Sequence, residues 1–227
     1  MKVGVGDGAR IDRKAGELVD PTVPLALVER ERFVSRGGEK LDAALERFEI
    51  EVTGRVCLDV GASTGGFTDC LLQRGAARVY ALDVGHGQLA EVLRSDPRVV
   101  SMERTHAARL DPDSPGSLTL PEPVTLAVID VSFISLATVL PAIATTSTMT
   151  APIVALVKPQ FEVEPKAAPR GVVRDPAARQ AAVAKVVQHA RSIGLGVVGQ
   201  MESPLLGPAG NHEFLIHLAR VSGATVR

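Results

Sequence analysis

The 227-residue chain has two cysteines, one tyrosine and no tryptophan. Cys57 and Cys70 fit neither a CxxC redox pair nor a paired-cysteine zinc site, and they read as small core residues of a reduced, cytosolic protein. Aromatic residues make up only 3%, which argues against a base-stacking platform of the kind that non-specific single-strand binders use. Neither sign of charge dominates: 25 Lys and Arg stand against 26 Asp and Glu, a net charge of −1. The chain is therefore no polycation, and any nucleic-acid binding has to come from a local basic patch. Long hydrophobic runs are missing as well. The longest apolar stretch, Val124 to Val157, is interrupted by Asp130, by prolines and by a Thr/Ser run. It falls short of the roughly 20 uninterrupted apolar residues a membrane helix needs. No signal peptide is expected, since no charged segment followed by an apolar one opens the sequence. The five histidines are scattered without ligand spacing, so no metal is expected. These absences leave a soluble, cytoplasmic globular protein.

What is present falls into two parts. Residues 1–34 carry glycines, Pro21, Pro24, mixed charges and only short apolar runs such as Leu25-Ala26-Leu27-Val28, enough for one or two strands and a linker but not for a core. From there the pattern becomes regular. Leu41, Ala44, Leu45 and Phe48 fall at helical spacing. Strands are then expected at 56–60, 78–82, 98–102, 124–129 and 153–157, and helices at 67–73 and 89–94. The Pro/Ser/Asp-rich segment 111–123 reads as a surface loop. Asp175-Pro176 opens a helix to about Ser192, with Asp as cap and Pro at the first helical position. Two last strands, 196–201 and 213–218, make a closing hairpin. Strands alternating with helices predict an α/β fold: a doubly wound, Rossmann-like sheet, mostly parallel, with a C-terminal antiparallel hairpin.

Such sheets bind ligands beyond the carboxyl ends of their strands. The first strand of the regular part ends in Asp59-Val60-Gly61-Ala62-Ser63-Thr64-Gly65-Gly66. Its glycines permit tight turning and close approach to a ligand, but their spacing is not the GxGxxG of dinucleotide sites, which disfavours an NAD-dependent oxidoreductase. Asp83 closes the next strand, where an acid can accept hydrogen bonds from a ribose diol. Glu103, just past the third strand, is either near an adenine or plain surface charge. Asp130, Lys158 and Glu213 fall where apolar residues are expected, each at a strand end on the edge that carries the glycine-rich loop.

The loop resembles the acidic-x-Gly loop of class I methyltransferases. The segments SRGGEKL (35–41), DVGASTGGFTD (59–69), ALDVGHGQL (81–89), DVSFISL (130–136), VALVKPQFEV (154–163), GVVRDP (171–176) and SPLLGPAGNHEF (203–214) together resemble the TlyA/hemolysin A family. The resemblance implies an FtsJ-like methyltransferase domain over residues 35–227, using S-adenosylmethionine to methylate ribose 2′-hydroxyls of ribosomal RNA, with cytidine as the nucleoside and ribosomal RNA or ribosomal subunits as partners. It implies a catalytic Lys–Asp–Lys–Glu set at Lys40, Asp130, Lys158 and Glu213. The expected cofactor contacts are Asp59, Gly61, Ser63, Thr64, Gly65, Gly66, Phe67, Asp83, Glu103 and Asp130. Lys158 is assigned to accept the hydroxyl proton or to steer the oxygen lone pair, since burial and a neighbouring cation allow a lysine to act as a base. Asp130 orients its ammonium, and Glu213 positions Lys40 or the ribose.

The family's N-terminal S4 RNA-binding domain has a counterpart only in residues 1–34, where Ala9 to Val28 resembles that domain's last strands. Arg32, Arg36, Lys166, Arg170 and Arg174 are expected to contact RNA phosphates. His106 stands where the family usually has Asn, and is expected near the cofactor. The alternatives are a non-catalytic ribosome-assembly factor that keeps the fold, or a haemolysin, as the family's older name suggests. A haemolysin would need amphipathic or membrane-spanning segments, which the sequence does not offer.

Overall fold

A computed structural model describes residues 2–3, 25–26, 31–146 and 151–221. The chain divides into two compact units, Met1–Arg32 and Phe33–Arg227. In the first, strand β1 (Lys2–Val3) pairs antiparallel with β2 (Leu25–Ala26). Residues 4–24 and 27–30, most of the segment expected to be S4-like, lie outside the described residues.

The second unit opens with helix α1 (Gly37–Arg47) and alternates from there. Strand β3 (Val56–Val60) leads into α2 (Gly66–Gln73), β4 (Arg78–Leu82) into α3 (Glu91–Arg94), and β5 (Val99–Met102) follows. Next come β6 (Leu126–Ile129), α4 (Leu136–Thr146), β7 (Ile153–Val157), α5 (Pro176–Ser192), β8 (Leu195–Glu202) and β9 (Phe214–Arg220). The seven strands of this unit lie in the order β5-β4-β3-β6-β7-β9-β8. The first five are parallel, while β9 runs antiparallel to both β7 and β8. The expected doubly wound sheet with a closing hairpin is what the chain forms.

Both sheet faces are covered, and strand residues alternate between them. Leu58, Val60, Ala127 and Ile129 pack towards Leu136, Leu140 and Ile143 of α4 and Val183 and Val186 of α5. Cys57, Leu126 and Val128 pack towards Leu41 and Leu45 of α1, Phe67 and Leu71 of α2 and Leu93 of α3. Cys57 and Cys70 are core residues, as expected. Burying both faces makes these strands near-continuous apolar runs, which is why β3, β4 and β7 keep their expected bounds. The Asp175 carboxylate accepts the Ala177 N–H at 2.9 Å, and Pro176 occupies the first turn of α5.

Helix α4 was not expected. It lies inside the long apolar stretch, carries Pro141 within it, and is apolar on most of its faces. A helix buried against both a sheet and a second helix shows no amphipathic period, and an internal proline argues against a helix locally.

The strand order reverses at β3, whose neighbours are β4 on one side and β6 on the other. The carboxyl ends of β3, β4, β6 and β7 therefore open onto one crevice. Because β9 is antiparallel to β7, its amino end lies at that same edge, with Phe214 opposite Val157.

Candidate active site

The crevice is built outward from the strand ends. After β3 the chain turns at Gly61, whose N–H donates to the Leu82 carbonyl at 2.8 Å, as does that of Ala62 at 3.1 Å. Gly61 has φ +86°, and a Cβ there would lie 2.5 Å from the Asp130 carbonyl oxygen. Any other residue would separate the β3 loop from the β6 loop. At Gly65 (φ +99°) a Cβ would lie 2.2 Å from Leu93, so this glycine seats the loop on α3.

Two cavities adjoin across the Gly61 turn. One, of about 330 Å³, is walled largely by apolar groups, among them Leu82, Val84, Ala107, Ile134 and Val139, with Ser63, Asp83, Gln88, His106, Asp130 and Ser132 as its polar members. The Asp83 carboxylate accepts the Ser63 N–H at 2.8 Å and the Gly85 N–H at 2.7 Å, which fixes the acid at the end of β4. His106 lines this cavity, and its Nδ1 accepts the Ala108 N–H at 3.1 Å. The other cavity, of about 250 Å³, is polar and charged, with Ser35, Arg36, Lys40, Thr64, Gly66, Phe67, Lys158 and Glu213 in its walls. Gly61, Ser63, Asp130 and Ser132 belong to both, so they form the threshold between the two spaces.

Lys40, Asp130, Lys158 and Glu213 meet in the charged cavity. Lys40 Nζ lies 2.5 Å from Glu213 Oε2, and this pair is nearly sealed from solvent, its side chains 8% and 1% exposed. The other Glu213 oxygen, Oε1, is buried and has no hydrogen-bond partner among the described residues. Lys158 Nζ lies 2.6 Å from Asp130 Oδ1 and donates to Ser132 Oγ at 2.8 Å. This pair is more open, 13% and 23% exposed.

Three of the expected cofactor residues lie outside the walls of both cavities. Gly65 is buried against α3. Glu103 accepts the Gly87 N–H at 2.9 Å and pairs with His86 at 2.7 Å; these contacts hold its carboxyl below the usual carboxylate range and spend it on shaping the 86–87 turn. Asp59 is fully buried beneath the glycine-rich loop, where Oδ2 accepts the Thr68 hydroxyl at 2.7 Å and Oδ1 has no partner among the described residues. Burial above all pushes its carboxyl up to about 7; the nearby charges of Asp130 and Asp83 add to this and the Thr68 hydroxyl opposes it. Of the expected RNA contacts, Arg36 lines the charged cavity, and Lys166, Arg170 and Arg174 are exposed on the segment between β7 and α5. Arg32 is exposed and belongs to the other unit.

Sequence reasoning missed Phe133. It is 91% exposed, adopts φ +64°, lines the apolar cavity, and sets its ring 5.1 Å from that of Phe161. A bulky residue in the left-handed region, with its ring out in solvent, is uncommon, and this makes Phe133 a candidate functional position. The only signal in the sequence was its place three residues after Asp130.

A nucleoside with a charged tail fits this arrangement: an apolar slot with a carboxylate for a ribose diol, a glycine threshold that a Cβ would fill, and polar space beyond. Residues 33–220 match the FtsJ-like methyltransferase family. The 16S/23S rRNA (cytidine-2′-O)-methyltransferase TlyA of Mycobacterium tuberculosis is 51% identical, over 93% of this chain and 78% of its own length. Hemolysin A of Brachyspira hyodysenteriae is 40% identical, over 93% of this chain and 86% of its own. The crystal structure of a Lactococcus lactis protein bearing the hemolysin label superposes with a TM-score of 0.78 at 46% identity, covering 82% of this chain and 88% of that one. Among the described residues, no helix is long and apolar enough to cross a membrane.

Proposed function

The chain belongs to the FtsJ-like methyltransferase family, and from that membership we propose that it transfers the methyl group of S-adenosylmethionine to ribose 2′-hydroxyls of ribosomal RNA, at cytidine. The observation that carries this reading is the junction of the two cavities, where a nucleoside slot opens directly onto a lysine–carboxylate pair.

S-adenosylmethionine supplies a methyl group on a sulfonium, electrophilic enough to need only a nucleophile in line with the departing sulfur. The chain has to bring a weakly acidic hydroxyl to that methyl and dispose of its proton. In this proposal Asp83 binds the cofactor's ribose diol, and the apolar walls around Ile134 and Val139 take the adenine. Gly61, Ser63, Thr64, Gly66 and Phe67 cradle the amino-acid end. Lys158, held by Asp130 and Ser132, accepts the 2′-hydroxyl proton or directs its lone pair. The Lys40–Glu213 pair closes the cavity wall, with Glu213 holding Lys40 in position. Phe133 presents a flat apolar face to the target base. Most of the rate then comes from positioning, since aligning hydroxyl and methyl removes about 7–11 kcal/mol of entropic and solvent barrier.

Arg32, Arg36, Lys166, Arg170 and Arg174 serve as phosphate contacts, and residues 1–34 act as an S4-like RNA-binding segment with its linker. The protein works in the cytoplasm on ribosomal subunits. The test is transfer of labelled methyl from S-adenosylmethionine to ribosomal subunits and to deproteinised rRNA, followed by digestion to nucleosides. Label in 2′-O-methylcytidine is the expected outcome. Label in a base-methylated nucleoside, or none at all, overturns the proposal.

A further inference from the structure

Glu162 is an acidic residue that the proposed reaction does not use, yet it is only 3% exposed. It follows the short 3-10 turn Pro159–Phe161, four residues past Lys158. That turn is fastened to the end of β7 by the Phe161 N–H to Lys158 carbonyl bond at 2.9 Å and the Glu162 N–H to Pro159 carbonyl bond at 3.0 Å. From there the Glu162 carboxylate crosses to the neighbouring loop. Oε2 accepts the Ser135 hydroxyl at 2.6 Å, and Oε1 accepts the N–H of Leu136, the first residue of α4, at 2.8 Å. Ser135 Oγ in turn accepts the Ala137 N–H at 3.2 Å, and Lys185 of α5 donates to the Glu162 carbonyl at 2.8 Å.

A helix start is ordinarily capped by the residue just before it. Ser135 caps the Ala137 N–H in that ordinary way, but a second cap, on the Leu136 N–H, comes from 26 residues away, on the turn that carries Lys158. The carboxylate therefore joins the far end of the loop bearing Asp130, Ser132 and Phe133 to the far end of the turn bearing Lys158 and Phe161. Between those ends lie the Lys158–Asp130 contact at 2.6 Å, the Lys158–Ser132 hydrogen bond at 2.8 Å and the Phe133–Phe161 ring pair at 5.1 Å. All three depend on the spacing of the same two loops.

We infer that Glu162 is a positioning residue for methyl transfer: its carboxylate, bridging Ser135 and Leu136, sets the distance between the Asp130 and Lys158 loops and so the aim of the Lys158 side-chain nitrogen. The inference rests on the methyltransferase reading of the site. Near-attack geometry is demanding, and a misplacement of about 1 Å lowers a rate on the order of 100-fold.

Three variants test it: Glu162→Ala, Glu162→Gln and Ser135→Ala. Glutamine keeps a carbonyl oxygen for the Leu136 N–H and can donate an amide hydrogen to Ser135 Oγ, so it preserves the bridge without the charge. Alanine removes the bridge, and Ser135→Ala removes one arm of it without touching the buried acid, which keeps the test usable should Glu162→Ala fail to fold. The readouts are kcat for methyl transfer to rRNA well below the melting temperature, KM for rRNA, and the dissociation constant for S-adenosylmethionine. Glu162→Ala is expected to lower kcat on the order of 10- to 100-fold. Cofactor affinity stays within about threefold, Glu162→Gln recovers most of kcat, and Ser135→Ala falls between. If Glu162→Ala only lowers the melting temperature while kcat per folded molecule is unchanged, or if Ser135→Ala matches wild type in kcat, Glu162 is a plain helix cap and the inference is wrong. Wild-type protein that transfers no methyl group defeats the methyltransferase reading itself, a result separable from either of these.

Discussion

Two lysine–carboxylate pairs face one cavity at nearly equal separation, 2.5 Å for Lys40–Glu213 and 2.6 Å for Lys158–Asp130. They differ in where their partners come from and in what can reach them. Lys40 and Glu213 are 173 residues apart and clasp α1 to the start of β9, almost out of solvent. Lys158 and Asp130 end adjacent strands at the threshold between the cavities, and Ser132 gives the lysine a second, weaker partner. A sealed pair has no room for a substrate atom between its charges and serves to hold elements together. An open pair can release one hydrogen bond and make another, which a proton acceptor must do. Similar chemistry at similar distance thus supports a fastening role in one pair and a reacting role in the other, with burial as the deciding quantity.

The sharpest way to break this comparison is to remove one partner from each pair. Lys40→Met leaves the Glu213 carboxylate buried and uncompensated, and should cost about 3–5 kcal/mol of stability, read by denaturant unfolding. Asp130→Ala at the open pair should cost about 1 kcal/mol. Equal losses would erase the distinction.

The acid beneath the loop gives a further contrast. Burial raises the Asp59 carboxyl from 3.8 to about 7, so the folded chain holds a proton there that the unfolded chain releases. Its contribution is complete below about pH 4 and is lost as pH rises through about 7. Wild type should therefore lose up to about 4 kcal/mol relative to Asp59→Asn between pH 4 and 8, measured as the difference of their unfolding free energies across that range.

At the apolar cavity, Asp83→Asn should weaken S-adenosylmethionine binding on the order of tenfold by calorimetry while leaving kcat at saturating cofactor nearly unchanged. The smallest effect belongs to the exposed arm. Arg170→Ala and Arg174→Ala should each lower the salt dependence of rRNA binding by about one unit of slope in log K against log salt.

Much of this fold is legible in the sequence because its strands are buried on both faces. Val56–Val60, Arg78–Leu82 and Ile153–Val157 are apolar runs that end where the sheet ends, and Asp175-Pro176 announces α5 by cap chemistry alone. Helix α4 was hidden by the same logic turned round: a helix apolar on most faces, with Pro141 inside it, has no period to read. For the site, polar residues interrupting strand ends at 130, 158 and 213 signalled an edge rich in function. That Lys40 pairs with Glu213 across 173 residues follows from no local pattern, only from a family resemblance. Phe133 and Glu162 escaped notice for a related reason. The first matters through exposure and a left-handed backbone, the second through a bond to a loop 26 residues away, and neither property is written in composition or spacing.

In the proposed reaction the apolar cavity binds the methyl donor while the open Lys158 pair performs the transfer. One preparation of Lys158→Ala tests it, with S-adenosylmethionine affinity measured by calorimetry and single-turnover methyl transfer to ribosomal subunits measured beside it. The account predicts a wild-type dissociation constant and a transfer rate lower by on the order of 10²- to 10⁴-fold, the usual contribution of a general base. A variant that transfers methyl at the wild-type rate, or that loses cofactor binding in step with transfer, would contradict it.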